Sequence, residues 1–391
     1  MNKAKRYTLF GLMYFVQGAI LSFFTALNAI YLLSFNVPLT QIGIMGGISM
    51  IPFVFKIFLG MLSDKVNLLG FGYRKPYIII GLIVQALCLV LVPFVNPATS
   101  FWLYAFIGLI LMTGMALYDT ATDGLALDTT PKEEEGTIQG FMVGGRALGI
   151  VIISAVIGWL VETTSWKLTF WFLAMVSLIP LLFVFSQREA ERTKDKEFDW
   201  RAFSAIKTAP IIALAVLGAL YSLIINATNQ IVNPYLQSIF NFGPQRLGLY
   251  TMYWGIGVVL GGLAGGKFVD NMGQRRSVLL AIFVSLASIL LYLLPLSAFA
   301  YVVIVIIFGI AFGYYETVYF ALSMQKTDPR IAASMFSILM AVANIGTGIG
   351  LALSGMLVDF AGYSFTFLII ALLNLLAFLI IPIVFQNKPQ P

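Results

Sequence analysis

Residues 60–75, GMLSDKVNLLGFGYRK, return in outline at residues 266–276, GKFVDNMGQRR. Gly60 and Asp64 stand 206 positions before Gly266 and Asp270, and two adjacent cations close each stretch, Arg74/Lys75 and Arg275/Arg276. Other markers keep step: Pro38 and Pro244 are also 206 apart, Pro93 and Pro295 are 202 apart, and YDT at Tyr118–Thr120 returns as YET at Tyr315–Thr317, 197 on. A stepwise fall is what short loop deletions in a second copy produce. The chain therefore reads as a tandem parallel repeat of two similar halves.

Around these markers the sequence is 60% hydrophobic and 10% charged. A soluble globule is nearer ~45–50% apolar and ~25% charged. Many runs reach the ~20 residues needed to cross a bilayer. We place spanning helices near 9–33, 40–62, 77–95, 101–127, 137–161 and 168–185, then near 209–238, 246–268, 277–296, 300–324, 331–358 and 365–385. The expected fold is an all-α membrane protein of twelve helices in two pseudo-symmetric six-helix bundles. Its domains would be residues 1–186, a linker at 187–208, and residues 209–391.

Lys and Arg crowd alternate loops: Lys65/Arg74/Lys75, Lys132, the stretch Arg188 to Lys207, Lys267/Arg275/Arg276, Lys326/Arg330 and Lys388. The opposite loops hold only Lys167 and Arg246. By the positive-inside rule both termini are cytoplasmic, and the plasma (inner) membrane is the expected location. The net charge of +6 thus orients the chain and does not point to nucleic acid. One cysteine, Cys88, and no histidine leave neither a disulfide framework nor a thiol metal site.

The repeated stretch resembles the cytoplasmic loop signature of the major facilitator superfamily, Gly-x-x-x-Asp-(Arg/Lys)-x-Gly-(Arg/Lys)-(Arg/Lys). Gly60, Asp64 and Lys65 match its first part, Arg74 and Lys75 its basic end, and Gly266, Asp270, Arg275 and Arg276 the second copy. Two departures stand out: residues 66–73, VNLLGFGY, lengthen the first copy, and Asn271 replaces the basic residue of the second. The longer form, with Pro52, Lys56 and GYRKPY, is similar to the branch of folate-biopterin transporters, muropeptide permeases and acetyl-coenzyme A transporters. The resemblance implies that helices 1, 4, 7 and 10 line a central cavity, and that Asp64 and Asp270 with their basic neighbours form a cytoplasmic gate.

Charges also stand where hydrocarbon should forbid them. Asp119 and Asp123 lie inside the fourth apolar run and Arg146 inside the fifth, with Asp128 nearer the loop. Each charge at bilayer depth costs at least ~2.5–3.5 kcal/mol and calls for a partner, water or a proton. Asp119 and Asp123 share a helix face one turn apart. Counted at 1.5 Å per residue, Asp119 and Arg146 lie level, about 15 Å from the connecting loop, so Arg146 is a candidate cation between or beside the acids. A helix-positioning salt bridge would use the same residues.

In the second half Glu316 is the repeat mate of Asp119, about 15 Å deep, and helix 11 offers no arginine to match Arg146. Glu316 is therefore a candidate to carry a proton. Gln17 and Asn28 in helix 1, and Asn226, Asn229 and Asn233 on one face of helix 7, either line a cavity or bind helices together. Tyr14, Tyr118, Tyr315 and Trp254 are aromatics able to stack on a planar solute.

Gly261, Gly266 and Lys267 mimic the start of a phosphate-binding loop, but Phe268 replaces its hydroxyl residue and no strand precedes it. The linker carries Asp199 followed by Trp200, Phe203 and Ile206, the spacing of a short interfacial helix. No nucleophile–base pair and no metal-ligand cluster is visible, so an enzyme is not expected.

Together these readings give a secondary active transporter for a small organic solute, anionic or pterin-like, acting as a monomer in lipid without ATP or another cofactor. Asp119, Asp123 and Glu316 would carry protons. Gln17, Asn28, Arg146, Asn226, Asn229, Asn233 and Tyr315 would contact substrate. A sodium-coupled sugar symporter of the same fold and a non-transporting membrane assembly factor are the competing readings.

Overall fold

Backbone N–H and C=O groups in hydrocarbon must find partners within their own segment, and for long apolar runs the α-helix provides that. The computed structural model describes residues 3–70, 72–129, 135–185, 207–326 and 332–386, and these fold into helices throughout. The proposed linker helix at Asp199 lies outside the described residues.

In chain order, α1 is Lys3–Ser22, carried through a π-turn at Phe23–Leu27 into Asn28–Leu33. α2 comes in three pieces, Leu39–Ser49, Ile51–Val54 and Lys56–Lys65. Then follow α3 (Lys75–Leu91), α4 (Phe101–Thr129), α5 (Glu135–Thr163), and α6 (Trp166–Leu178, resuming at Leu181–Val184). The second half has α7 (Ala209–Phe240), α8 (Pro244–Met272), α9 (Gln274–Leu290) and α10 (Ala298–Lys326). A last stretch, Ala332–Val384, breaks at Gly362, whose φ of 80° is left-handed. It is thus two helices, α11 before the break and α12 after it.

Among the described residues nine helices are long and apolar enough to cross a membrane, one of them the double-length stretch Ser337–Val384. With that stretch divided and the interrupted α1 and α2 added, the helices are consistent with twelve spans. Their outward faces are apolar: Phe360 is 86%, Phe299 80% and Leu182 77% exposed. Such faces suit acyl chains, not water.

The signature loops turn on glycine. Gly273, between α8 and α9, has φ of 78°, and Gly72 before α3 has φ of 124°. Both occupy backbone conformations that a side chain disfavours. The extra residues of the first copy are taken up by a short 3₁₀ turn at Leu68–Gly70.

The chain forms two compact units that do not follow the midpoint of the sequence strictly. One comprises Met1–Val37, Ile48–Glu197 and Leu236–Met252; the other comprises Pro38–Gly47, Phe198–Tyr235 and Tyr253–Pro391. Each unit therefore takes in a short segment from the other half of the chain.

Candidate functional site

Four helices of the first unit bring its charged groups together. α1 crosses α5 backbone to backbone: a Cβ at Gly145 would land on Gly11, and one at Gly18 on the carbonyl of Arg146. This sets Tyr14 and Arg146 on adjacent helices at close range. α2 is broken just ahead of the site. Pro52 has no N–H to give its preceding turn, and Phe55, with φ −86° and ψ 6°, separates the short piece Ile51–Val54 from the restart at Lys56. The restart delivers the Lys56 ammonium to α4.

Lys56 Nζ lies 2.5 Å from Asp119 Oδ2 and 3.1 Å from Asp123 Oδ2. The Tyr14 hydroxyl donates to Asp123 Oδ1 at 2.5 Å. One ammonium with several rotatable donors can bridge two carboxylates one helical turn apart. The environment is graded: the Asp119 side chain is 4% exposed, whereas those of Lys56 and Asp123 are 32% and 37% exposed. Asp119 is the sealed end and Asp123 the accessible one.

The cation between the acids is thus Lys56, and Arg146 is not. Arg146 is half-buried and lies within electrostatic range of Asp119 and Tyr14, yet among the described residues it makes no ion pair. The physical reason is facing. Asp119 and Asp123 look toward α2, and the broken α2 presents an amine there. Sequence reasoning met Lys56 only as a feature of a family branch. Its signal was the same as that of the acids, a lone charge inside the apolar run IPFVFKIFLG.

Other groups of this unit are placed as follows. Gln17 is buried and, among the described residues, its Oε1 has no hydrogen-bond partner. Asn28 is buried and accepts from the Tyr104 hydroxyl of α4 at 2.5 Å, which ties α1 to α4. Arg74 is buried, donates to Ser63 Oγ at 2.7 Å, and occupies the space a side chain at Gly124 would need. Gly60 lies against Thr120 of α4, and Lys75 donates to the carbonyl of Phe185 at 2.8 Å. The side chains of Asp64, Lys65 and Asp128 lie outside the described residues, as does that of Asp270 in the other unit.

In the second unit Glu316 of α10 is half-buried with no ion pair among the described residues. It lies within electrostatic range of Tyr221, whose ring packs on Tyr315 at 5.2 Å and Tyr319 at 4.6 Å between centroids. The hydroxyl of Tyr315 is buried and, among the described residues, has no hydrogen-bond partner. Asn226 donates to the Ser222 carbonyl at 2.9 Å and to Thr347 Oγ1 at 3.3 Å, and Ser222 meets Thr347 at 2.6 Å. This network binds α7 to α11. Asn229 and Asn233 are buried on the same helix, and among the described residues Asn229 makes no hydrogen bond. Trp254 packs edge-on against Phe312, a Cβ at Gly266 would meet open space, and Arg275 and Arg276 are exposed.

Among the described residues no group of three or more cysteines and carboxylates is arranged to hold a metal ion.

Comparison with known proteins agrees with this architecture. The family model described as "Major Facilitator Superfamily" matches residues 10–338 and 218–391. AmpG 1 of Rickettsia bellii is 24% identical over 378 residues, covering 91% of this chain and 92% of that protein. The crystal structure of the nucleoside transporter NupG superposes with a TM-score of 0.79 at 17% identity, over 99% of this chain and all of that one (100%). The D-xylose–proton symporter gives 0.75 at 15% identity, over 96% and 95%. At these identities the structural likeness speaks to the fold alone.

Proposed function

The chain belongs to the Major Facilitator Superfamily, and from that premise we propose that it is a secondary active transporter that moves a small organic solute across its membrane by alternating access and couples the movement to protons. The observation that carries the reading is the cluster of Asp119, Asp123, Lys56 and Tyr14 within spanning segments. Two acids share one lysine, and the more accessible acid also holds a tyrosine hydroxyl. A proton arriving at Asp123 would loosen its hold on Lys56 and leave the ammonium to Asp119. That is a local charge change able to bias two conformations.

Arg146, a half-buried guanidinium beside this cluster, suits an anionic group of the solute, since its planar fork matches carboxylate or phosphate. In the second unit Glu316, with the tyrosines around it, offers a further proton-accepting carboxylate and stacking rings. The similarity to AmpG 1, together with the loop signature of the muropeptide permease branch, supports a solute of that chemical range. Peptidoglycan fragments and pterins are the first to try.

Purified protein in proteoliposomes would test this. Uptake should rise when the outside is acidified relative to the lumen, be indifferent to replacing sodium with choline, and lose its response to the gradient in Asp119→Asn and Asp123→Asn. Gradient-driven uptake surviving in both variants would remove the acids from the coupling. Solute-dependent thermal stabilisation that persists in Arg146→Ala would remove Arg146 from the binding site.

A further inference from the structure

At the membrane face opposite Lys75 and the linker, α3 ends and α6 begins, and a lysine stands caged between them. Lys167 Nζ lies 5.0 Å from the ring centre of Phe94 and 4.7 Å from that of Trp171. The two rings are 6.4 Å apart. The Trp171 indole N–H donates to the Val90 carbonyl at 3.4 Å, which ties the cage to α3. Deeper in the membrane, Gln85 Nε2 donates to Ser177 Oγ at 2.8 Å and pins the same two helices together. Lys167 itself is exposed and, among the described residues, makes no ion pair.

Below the cage the paired helices turn apolar stripes outward. Leu87 and Leu91 on α3, and Met175, Leu178 and Leu182 on α6, are exposed and recur every three or four residues. Nor does the fold dictate the cation above them. The repeat mates of Lys167 and Trp171, 197 positions on, are Ser364 and Leu368, and that of Phe94, 202 on, is Leu296. The second half thus keeps the apolar stripe and has neither the charge nor the rings.

An interfacial lysine can reach headgroup level without any ligand. Here two rings take water from two sides of the ammonium, so an anion on its open side gains a charge-assisted hydrogen bond against little remaining hydration. A zwitterionic headgroup brings a cation of its own, which Lys167 repels. A headgroup with net negative charge does not. We propose that Lys167, Phe94 and Trp171 form a binding site for one anionic glycerophospholipid in the leaflet opposite the linker. Its phosphate sits on Lys167 and an acyl chain lies along α3 and α6.

The test titrates detergent-purified protein with dioleoylphosphatidylglycerol or dioleoylphosphatidylcholine and reads the affinity of the first retained lipid by native mass spectrometry. The parent should favour phosphatidylglycerol. Lys167→Gln should bind that lipid about fivefold more weakly and phosphatidylcholine as before, and Lys167→Arg should keep the preference. Arg246→Gln, which removes a cation set over the single ring of Phe242, should leave it intact. Ser364→Lys, a cation without rings, should add no second phosphatidylglycerol of like affinity. An unchanged preference in Lys167→Gln, or an equal loss in Arg246→Gln, would overturn the site. A second tight lipid in Ser364→Lys would overturn the cage as its cause. Displacement of the lipid by an equal concentration of glycerophosphoglycerol, the headgroup without chains, would overturn the seat along α3 and α6.

Discussion

Lys56 sits among apolar neighbours, and only its tie to two carboxylates explains how it is tolerated there. Replacing it with methionine leaves Asp119 and Asp123 facing each other one turn apart without a cation. Breaking a sealed ion pair costs ~3–5 kcal/mol, and because about a third of Lys56 is exposed the loss should fall below that range. Lys56→Met should therefore lower the thermal midpoint in detergent, and adding Asp119→Asn should recover at least half of the drop. A double variant as unstable as the single would mean that Lys56 contributes something other than charge. Lys56→Arg keeps the charge but brings a longer planar fork to acids placed around one ammonium, so its midpoint should fall between those of the parent and Lys56→Met.

Two adjacent glycines of α5 separate close approach from mere tolerance. Gly144 has open space where its Cβ would go, whereas a Cβ on Gly145 would strike the backbone of Gly11. Gly144→Ala should keep or raise stability by up to ~1 kcal/mol through helix propensity. Gly145→Ala should push α1 from α5 and reduce the yield of folded protein, which size-exclusion profiles of the two variants would show side by side.

The break in α2 makes a similar contrast. Pro52→Ala restores an N–H to the turn that Pro52 interrupts. If the break is what aims Lys56, the change should lower uptake while leaving the melting temperature near that of the parent. An unaltered uptake rate would show that residues after Phe55 place Lys56 without help from the proline.

Across the whole molecule, the distribution of basic residues fixes which loops should face the cytoplasm. A cysteine at Asn271, in the basic α8–α9 turn, should react with an impermeant maleimide only from the cytoplasmic side, and one at Thr99 only from the opposite side. Both positions are exposed. Reversed labelling would invert the orientation without disturbing the fold.

Composition, the repeated signature and the spacing of its markers determined the membrane class, the helices and the doubled halves, because hydrocarbon forces apolar runs into helices and a duplicated sequence repeats its own periodicity. Asp119, Asp123 and Glu316 were visible for the same reason, as charges out of place in an apolar run. Only the folded chain decided that Lys56 and not Arg146 joins the acids, that Asn28 and Asn226 are held by neighbouring helices, and that Lys167 stands between Phe94 and Trp171. Those outcomes depend on which faces meet and where a helix breaks. Side-chain geometry across helices far apart in sequence sets them, and no local pattern along the chain records it.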